Sequence, residues 1–578
     1  MAAQLDRLGI ARTLREMARL LDLAGEPVFK VRAYERGAQA LEHSGADLAS
    51  LVHEGRLTDL AGIGPHLAGV ISELHLTGTS QALDKLRQQL PPGTSELSRI
   101  PELGLKKIKA LNAALGIETI AQLKEGCEAG RARTVKGIGE KTEQRILDRI
   151  RRLEGPTRML LSEAGEAAEE LLAHLRDAPG AGAVDVAGAF RRCTETVDGL
   201  VFVVASAEPS AAAEHARSAP LLATVERNGP VCRATLVTGL PLEVRLVSPR
   251  SHPTELLFAT GAAGHVEKLR RVAEGRRLKL EPSGLSRAAR GGPLSFESET
   301  DVYRHLGLPF IPPELREDEG EIEAALAGSL PADLITREDV RGMVHCHTVY
   351  SDGRHTVEQM AKAAEDLGMQ YLTITDHSPT ASYARGLTVD RLKAQWDEIA
   401  RVQEGVAVRL LRGAEVDILA DGALDYPDEI LEQLDIIIAS VHQRFRLDTE
   451  QMTRRLVRAM SHPCFKIWGH ALGRLVLSRP PIECRVEEVL DVIAASRAAV
   501  EINGDPHRLD MAPPWVRAAR ERGIRFVIST DAHSTNDFRY LRYGVAMARR
   551  GWVRRGEVLN AVGAEAFVRA VSPAGRGR

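Results

Sequence analysis

Beyond residue 340 of this 578-residue chain, nine side chains of the kinds that bind metal ions stand where apolar runs end. They are His345, His347, Asp352, His377, Glu415, His442, His470, Asp531 and His533. Imidazole and carboxylate without thiolate form a donor set suited to Zn²⁺, Mn²⁺ or Fe²⁺ rather than to Mg²⁺ or Ca²⁺, whose sites are built from oxygen. Nine donors exceed what one ion can use, so two or three divalent ions are expected. Ions that close together activate water and clamp both oxygens of an in-line phosphoryl displacement, which makes phosphoester hydrolysis the expected chemistry.

The elements that must position these groups can be read in the runs before them. Tyr371-Leu-Thr-Ile-Thr, Ile436-Ile-Ile-Ala-Ser-Val and Phe526-Val-Ile-Ser-Thr are short, β-branched and apolar on both alternating faces, which predicts buried parallel strands. The donors then sit at strand C-termini, the edge where parallel barrels and open α/β sheets build active sites. His345 and His347 are spaced i, i+2, so both rings point to one face of a strand, and Asp531 and His533 repeat that spacing; Cys346 faces the other way, into the core. Arg508, in Glu501-Ile-Asn-Gly-Asp-Pro-His-Arg-Leu-Asp510, lies just past another strand end. Its guanidinium fork either binds the scissile or an adjacent phosphate or forms a structural pair with Asp510.

A chain of this length exceeds one core and suggests about four domains. Six scattered cysteines without a CxxC pair fit a reduced cytoplasmic protein and exclude a disulfide framework or a zinc finger. The first 25 residues form an amphipathic charged stretch and no apolar run approaches the length of a membrane span, so a soluble protein without a membrane partner is expected. The net charge of −3 neither demands nor excludes nucleic acid. Residues 101–155, however, carry 12 Lys and Arg against 8 Asp and Glu, a local excess that favours a phosphate-backbone partner.

Residues 1–155 read as helices separated by short glycine turns. Two turns, Leu60-Ala-Gly-Ile-Gly64 and Val135-Lys-Gly-Ile-Gly139, precede helices, and Ile100-Pro-Glu-Leu-Gly104 is a looser third copy. This is the helix-hairpin-helix pattern, in which Gly62, Gly64, Gly137 and Gly139 expose backbone N–H groups to a DNA phosphate, with Lys141 nearby. Residues 156–250 hold a long helix, Arg158 to Leu175, followed by strand-like runs at Val184–Ala189, Leu200–Ala205, Ala234–Val237 and Leu242–Val247. Residues 251–318 turn helical again and end in the Pro-rich segment Leu308–Arg316. Acidic residues with Ala, Gly and Pro over 319–338 read as an inter-domain linker before the metal-ligand domain, 339–578.

This order of parts, with Phe258-Ala-Thr-Gly261 and the opening His345-Cys-His-Thr-Val-Tyr-Ser-Asp-Gly353, resembles over nearly its full length the bacterial family X DNA polymerases that carry a C-terminal PHP (polymerase and histidinol phosphatase) domain. The resemblance implies a multidomain α/β and α+β protein. Its parts would be an N-terminal helix-hairpin-helix domain at 1–90, a fingers-like one at 91–155, a nucleotidyltransferase-like palm at 156–250, a thumb at 251–318 and a distorted (β/α)₇ PHP barrel. It also implies three metal ions on the nine donors, typically Mn²⁺, and 3′→5′ exonuclease and abasic-site cleavage. The partner would be DNA with gaps, single-stranded 3′ ends or abasic sites, bound by a monomer. Glu415 would bridge two ions, and Glu415, Asp531, His377 and Arg508 are the candidates for the catalytic step. Met343 stands where the family has Asp, outside the donor set.

The palm departs from the family. Its motif, Gly-Ser-x-Arg-Arg followed by Asp-x-Asp, holds two Mg²⁺ together with a third carboxylate on a neighbouring strand. Here the segment reads Gly188-Ala-Phe-Arg-Arg192-Cys-Thr-Glu-Thr-Val-Asp-Gly199-Leu-Val201. Ala189 takes the phosphate-binding Ser position, Gly199 and Val201 take the two Asp positions, and Glu243 takes the third. Asp198, one position early, points to the other strand face. Arg191 and Arg192 remain as candidate DNA contacts, but one carboxylate does not hold paired Mg²⁺, so loss of polymerisation is expected. In eukaryotic relatives a Lys six residues past the second glycine of the first hairpin turn is the lyase nucleophile; here that place is Val70, with His66 replacing another basic residue. Lys30, Arg32 and Arg36 offer a 5′-phosphate contact or a solvated helix face. Two other readings stand beside the nuclease: weak gap-filling synthesis through Asp198 and Glu243, and a small-molecule phosphatase similar to histidinol phosphatases.

Overall fold

Short helices punctuated by glycine turns occupy the N-terminal part of the chain, and alternating strands and helices the C-terminal part, as their hydrophobic periods dictate. The computed structural model describes residues 7–43, 48–60, 62–98, 100, 103–154, 157–226, 231–287 and 294–573. The chain divides into two units: 1–157 with the short segments 221–224 and 235–241, and the remainder.

In the first unit one core gathers Ile10, Leu14, Met17, Leu41, Ile71 and Leu74. A second gathers Leu97, Ile108, Leu111, Ile138, Ile146 and Ile150. Each hairpin turn follows one rule. Its Ile, at 63 or 138, is buried as an anchor, while the flanking glycines face solvent. Gly62 and Gly137 adopt φ of +98° and +90°, a left-handed conformation that a side chain would strain. Helices Pro65–Thr77 and Glu140–Glu154 follow directly. Helix Leu105–Leu115 follows Gly104; Pro101 and Glu102 of the third copy, and Ala61 of the first, lie outside the described residues.

After residue 157 come helix Leu161–Arg176 and strands Ala181–Ala187 (β1), Leu200–Ser206 (β2), Leu222–Val225 (β3), Val231–Leu236 (β4) and Pro241–Val247 (β5), in sheet order β1-β2-β5-β4-β3. β1 runs antiparallel to β2 and β5 parallel to it. Residues 251–318 are less helical than their composition predicts. Helices His252–Thr260 and Ala263–Gly275 are followed by a hairpin, Leu278–Glu281 with Gly284–Arg287, and then by helix Glu299–His305.

The segment read as a linker is folded. Its acidic, Ala-, Gly- and Pro-containing sequence reads as an inter-domain linker, yet Glu321–Leu326 forms a helix whose Ile322 and Ala325 join Leu269, Leu285 and Tyr303 in one core. Glu321, wholly buried, lies 2.6 Å from Nδ1 of the equally buried His265 and accepts the backbone N–H groups of Asp318 and Glu319. A buried carboxylate holding three donors fixes the segment more firmly than its composition foretells.

The C-terminal strands are Gly342–Cys346 (β6), Tyr371–Ile374 (β7), Arg409–Asp417 (β8), Ile436–Ser440 (β9), Lys466–Trp468 (β10), Ala498–Asn503 (β11) and Phe526–Ser529 (β12). They form one parallel sheet in sequential order with helices between them. The sheet curls until its ends meet: His347 N–H donates to the Ala532 carbonyl at 2.8 Å and Ala532 N–H to the His345 carbonyl at 3.0 Å. The result is a nearly closed seven-stranded barrel. No helix among the described residues is long and apolar enough to cross a membrane.

Replacing Glu321 by Ala should lower the unfolding free energy of its unit by about 3 kcal/mol, because three buried donors lose their acceptor. Glu323→Ala, on the exposed face of the same helix, should shift it by less than about 0.5 kcal/mol. Denaturant titration of the two variants distinguishes a folded segment from a loose tether, for which both would be silent.

Candidate metal centre

The barrel brings all nine predicted donors to one rim, in four overlapping groups whose ligand atoms lie within 4.8 Å of one another. These are His347/Asp352/His377/His533, His345/His470/Asp531, His345/His347/Glu415 and His377/Glu415/His442. His345 is the penultimate residue of β6, His442 and His470 follow β9 and β10 by two residues, and Asp531 and His533 follow β12. The rim is achieved against backbone preference: His345, Asp531 and His470 adopt φ of +64°, +49° and +23°. Such conformations cost on the order of 1–3 kcal/mol each and persist only where the surroundings enforce them. At β6 they are enforced by threonines of the next strand, since His345 N–H donates to the Thr373 hydroxyl at 3.1 Å and Cys346 N–H to the Thr375 hydroxyl at 2.9 Å. Cys346 itself is buried.

Glu415 is the focus. Its carboxylate lies 2.8 Å from His470 Nε2, 3.1 Å from His442 Nε2, 2.9 Å from His377 Nδ1, 3.4 Å from His345 Nε2 and 3.6 Å from His347 Nε2. Asp352 is a second focus, 3.3 Å from His533 and 3.5 Å from His377. Burial and the neighbouring His533 and His377 rings hold His347 neutral, down to about 3. Burial also opposes charge on His377, but Glu415 and Asp352 outweigh it and push that group up to about 10. The donor set fits divalent cations on a direct observation. His345 Nε2, both His347 nitrogens, His442 Nε2 and Glu415 Oε2 are buried without any hydrogen-bond partner, a cost that folded proteins avoid unless a cation satisfies such atoms.

Three supporting carboxylates escaped the sequence reading. Glu501 lies 2.5 Å from His345 Nδ1 and also accepts the His470 backbone N–H, so it turns Nε2 of His345 toward Glu415. Asp417 does the same for His442, at 2.8 Å from Nδ1. Asp376 accepts from Thr348, Ser351 and Gln395, building the loop that carries Asp352. Asp417 was legible as a carboxylate two residues after Glu415 on one strand face, and Asp376 as the neighbour of His377; nothing local singles out Glu501. Arg508 points Nε at Asp531 Oδ2, 3.0 Å away, and does not pair with Asp510, which accepts Leu472 and Arg474 backbone N–H groups instead.

The palm contains no such cluster among the described residues. Val201 pairs with Glu243 in register across β2 and β5, and with Ala187 across β1, so these three side chains share one face. Glu243 is engaged by Arg245 at 2.6 Å and Arg233 at 3.3 Å. Asp185, one row away on the same face and missed by the sequence reading, pairs with His252 at 3.2 Å. Asp198 is exposed and precedes β2; Gly199 adjoins the strand, and Ala189 lies in the helix Gly188–Arg191.

Arg191 and Arg192 have another occupation than the predicted DNA phosphate. Arg191 binds Glu299 at 2.7 Å and the Thr260 hydroxyl, and Arg192 binds Glu317 at 2.9 Å and the Thr260 carbonyl. In the N-terminal unit Gly62, Gly64, Gly137, Gly139 and Lys141 are exposed. Val70 is core, His66 lies 3.3 Å from the Tyr34 hydroxyl, and Lys30 pairs with Glu26. Arg32 and Arg36 are exposed.

Residues 7–80 match the helix-hairpin-helix domain family, 94–152 the SAM-like helix-hairpin-helix tandem, 255–317 the DNA polymerase beta thumb and 344–505 the PHP domain. The chain is 34% identical over 557 residues, 96% of its length and 97% of the relative's, to the "DNA polymerase/3'-5' exonuclease PolX" of Bacillus subtilis. Over 37% of its length it is 28% identical to 88% of a "Probable phosphatase" of Thermoanaerobacter sp.. Over 33% it is 30% identical to 74% of another, from Caldanaerobacter subterraneus.

Glu415→Ala should abolish high-affinity Mn²⁺ or Zn²⁺ binding, read by elemental analysis of the dialysed protein, where the unchanged chain retains two to three ions. Glu501→Gln keeps every donor but loosens His345 and should weaken binding by about 10–100-fold. Equal metal content in all three proteins would exclude the rim as the site.

Proposed function

As the chain belongs to the bacterial family X DNA polymerases that carry a C-terminal PHP domain, we propose that it is a divalent-metal-dependent DNA phosphodiesterase that removes nucleotides in the 3′→5′ direction at the PHP rim. The observation that carries this reading is the convergence of nine donors with unpartnered buried nitrogens and carboxylate oxygens. Bound there, Mn²⁺ or Zn²⁺, with Fe²⁺ also compatible, would supply water activation and neutralisation of phosphate charge. His347, Asp352, His377 and His533 would hold one ion, His345, His470 and Asp531 another, and Glu415 lies within reach of both groups through His345, His347 and His377. Arg508 Nε faces Asp531 at 3.0 Å and Asp505 at 3.7 Å without a hydrogen bond to either, so its fork can take a phosphate oxygen beside the reacting centre. Glu501 and Asp417 keep the imidazoles they touch in one tautomer. The exposed glycine turns and Lys141 would hold the DNA backbone without reading sequence.

Polymerisation is lost in this reading, because Gly199 and Val201 carry no carboxylate and Glu243 is neutralised by Arg245 and Arg233. The palm is then a platform. The protein would act in the cytoplasm, as a monomer, on gapped DNA, single-stranded 3′ ends or abasic sites.

Labelled single-stranded, gapped and abasic oligonucleotides incubated with Mn²⁺ should shorten from the 3′ end, with hydrolysis stopped by chelation. A protein that hydrolyses only small phosphomonoesters would instead side with the phosphatase reading. Arg508→Ala should lower kcat/KM by roughly 10²-fold, as for loss of one preorganised phosphate contact, with metal content unchanged; unaltered kinetics would reduce Arg508 to a structural partner of Asp531.

No primer extension should occur on a one-nucleotide gap with Mg²⁺ or Mn²⁺ when the His345→Ala variant is used, so that exonuclease cannot erase the product. Extension abolished by Asp198→Ala or Glu243→Ala would restore the polymerase reading.

A further inference from the structure

The palm loop that follows Arg192 reaches the barrel rim. Glu195 Oε1 lies 3.1 Å from a terminal nitrogen of Arg474, and Oε2 lies 3.6 Å from Arg550. Burial opposes charge on Glu195, but the two guanidiniums outweigh it and hold the carboxyl below its ordinary range. Arg474 in turn grips the segment that carries Arg508. Its Nε donates to the Arg508 carbonyl at 2.9 Å, the nitrogen facing Glu195 also donates to the Leu509 carbonyl, and its backbone N–H reaches Asp510. From there Arg508 points Nε at Asp531, one of the nine donors.

The gripped segment needs holding. Leu509 is wholly buried at φ +44°, where a branched side chain is strained, so the backbone keeps this path only while its carbonyls are restrained. A planar guanidinium can bind two consecutive carbonyls in one orientation only, and a carboxylate on its remaining edge fixes that orientation. Glu195 is itself fixed from behind: Arg550 also faces Glu317 at 3.6 Å, and Glu317 binds Arg192. Charges therefore alternate from Arg192 through Glu317, Arg550, Glu195 and Arg474 to the carbonyls beside Arg508.

Resting on the nuclease reading above, we infer that Glu195 is a positioning residue for hydrolysis: by orienting the Arg474 fork it sets the backbone at Arg508 and Leu509, and so the aim of Arg508 at Asp531 and at a substrate phosphate. The palm, without its own metal ligands, would be retained in part because it braces the nuclease rim. Glu195→Gln keeps the side chain's volume and an acceptor oxygen for the Arg474 fork, so its effect should appear in geometry more than in folding.

The test uses the full-length chain and the variants Glu195→Gln, Glu195→Asp, Arg508→Ala and the Glu195→Gln/Arg508→Ala double. Glu214→Gln, on an exposed palm helix away from the chain of charges, is the control. The first readout needs neither metal nor turnover. Amide hydrogen exchange over residues 505–511 of metal-free protein should accelerate in Glu195→Gln and only partly in Glu195→Asp, while the Val486–Ala495 helix is unchanged. The second readout is Mn²⁺-dependent hydrolysis of a 3′-labelled oligonucleotide. Here Glu195→Gln should lower kcat/KM by about tenfold, the scale of a sub-ångström displacement of a reacting group, with bound metal and the thermal midpoint unchanged. Glu195→Asp should recover part of that loss. In the double variant the Glu195 change should add nothing to the loss caused by Arg508→Ala, because the two act in series.

Unchanged exchange at 505–511 overturns the inference, as do fully multiplicative kinetic losses in the double variant. If Glu195→Gln proves too poorly folded to measure, Glu195→Asp carries the same exchange comparison. If the unchanged chain cleaves no DNA, the nuclease reading fails, yet exchange still decides whether the palm braces the rim.

Discussion

One carboxylate among five imidazoles sets the terms for the barrel rim. Glu415 is buried, and its two oxygens meet His345, His347, His377, His442 and His470, which arrive from four different strand ends. A cluster of that density leaves several buried nitrogens without a partner inside the protein. Left-handed backbone at three donors adds to the strain. A barrel tolerates this because its strands, buried on both faces, supply the stability that the rim gives up. Cation binding and rim order are thus linked, and the supporting carboxylates Glu501 and Asp417 matter because they decide which nitrogen each ring presents.

The palm shows the opposite arrangement. Where a two-metal enzyme needs bare carboxylates converging on one point, this sheet offers a valine in register with a glutamate, and that glutamate already faces two arginines. Arginine is a permanent cation with fixed geometry, so such a network stabilises one arrangement of the Glu243 carboxylate. The arginines of the neighbouring helix are likewise occupied by Glu299 and Glu317, which ties palm to thumb.

How much of this could be read from the sequence depended on how local the cause was. Strand ends and donor positions were legible because period-2 apolar runs and i, i+2 spacing are local properties. The same holds for the glycine turns, where a buried Ile between exposed glycines repeats within five residues. The folded helix at Glu321 was not legible, since its composition reads as a linker and its partner His265 lies far away in sequence. The partners of Arg191 and Arg192 were equally hidden: Glu299 and Glu317 lie more than a hundred residues downstream, and no local pattern announces either pairing. Glu501 escaped notice because nothing in its neighbourhood distinguishes it from any acidic residue at a strand end. The Glu195–Arg474 contact joins positions 279 residues apart, beyond the reach of any pattern argument.

The barrel's seam lies between its first and last strands, and the backbone bonds that close it belong to His345, His347 and Ala532, next to Asp531. Donors from the start and the end of the domain therefore share one focus. During synthesis from the N-terminus, a chain halted before β12 would hold His345 and His347 without Asp531 or His533, at an open sheet edge. Full coordination at the rim thus requires a completed barrel, and a product truncated before β12 lacks two of the nine donors.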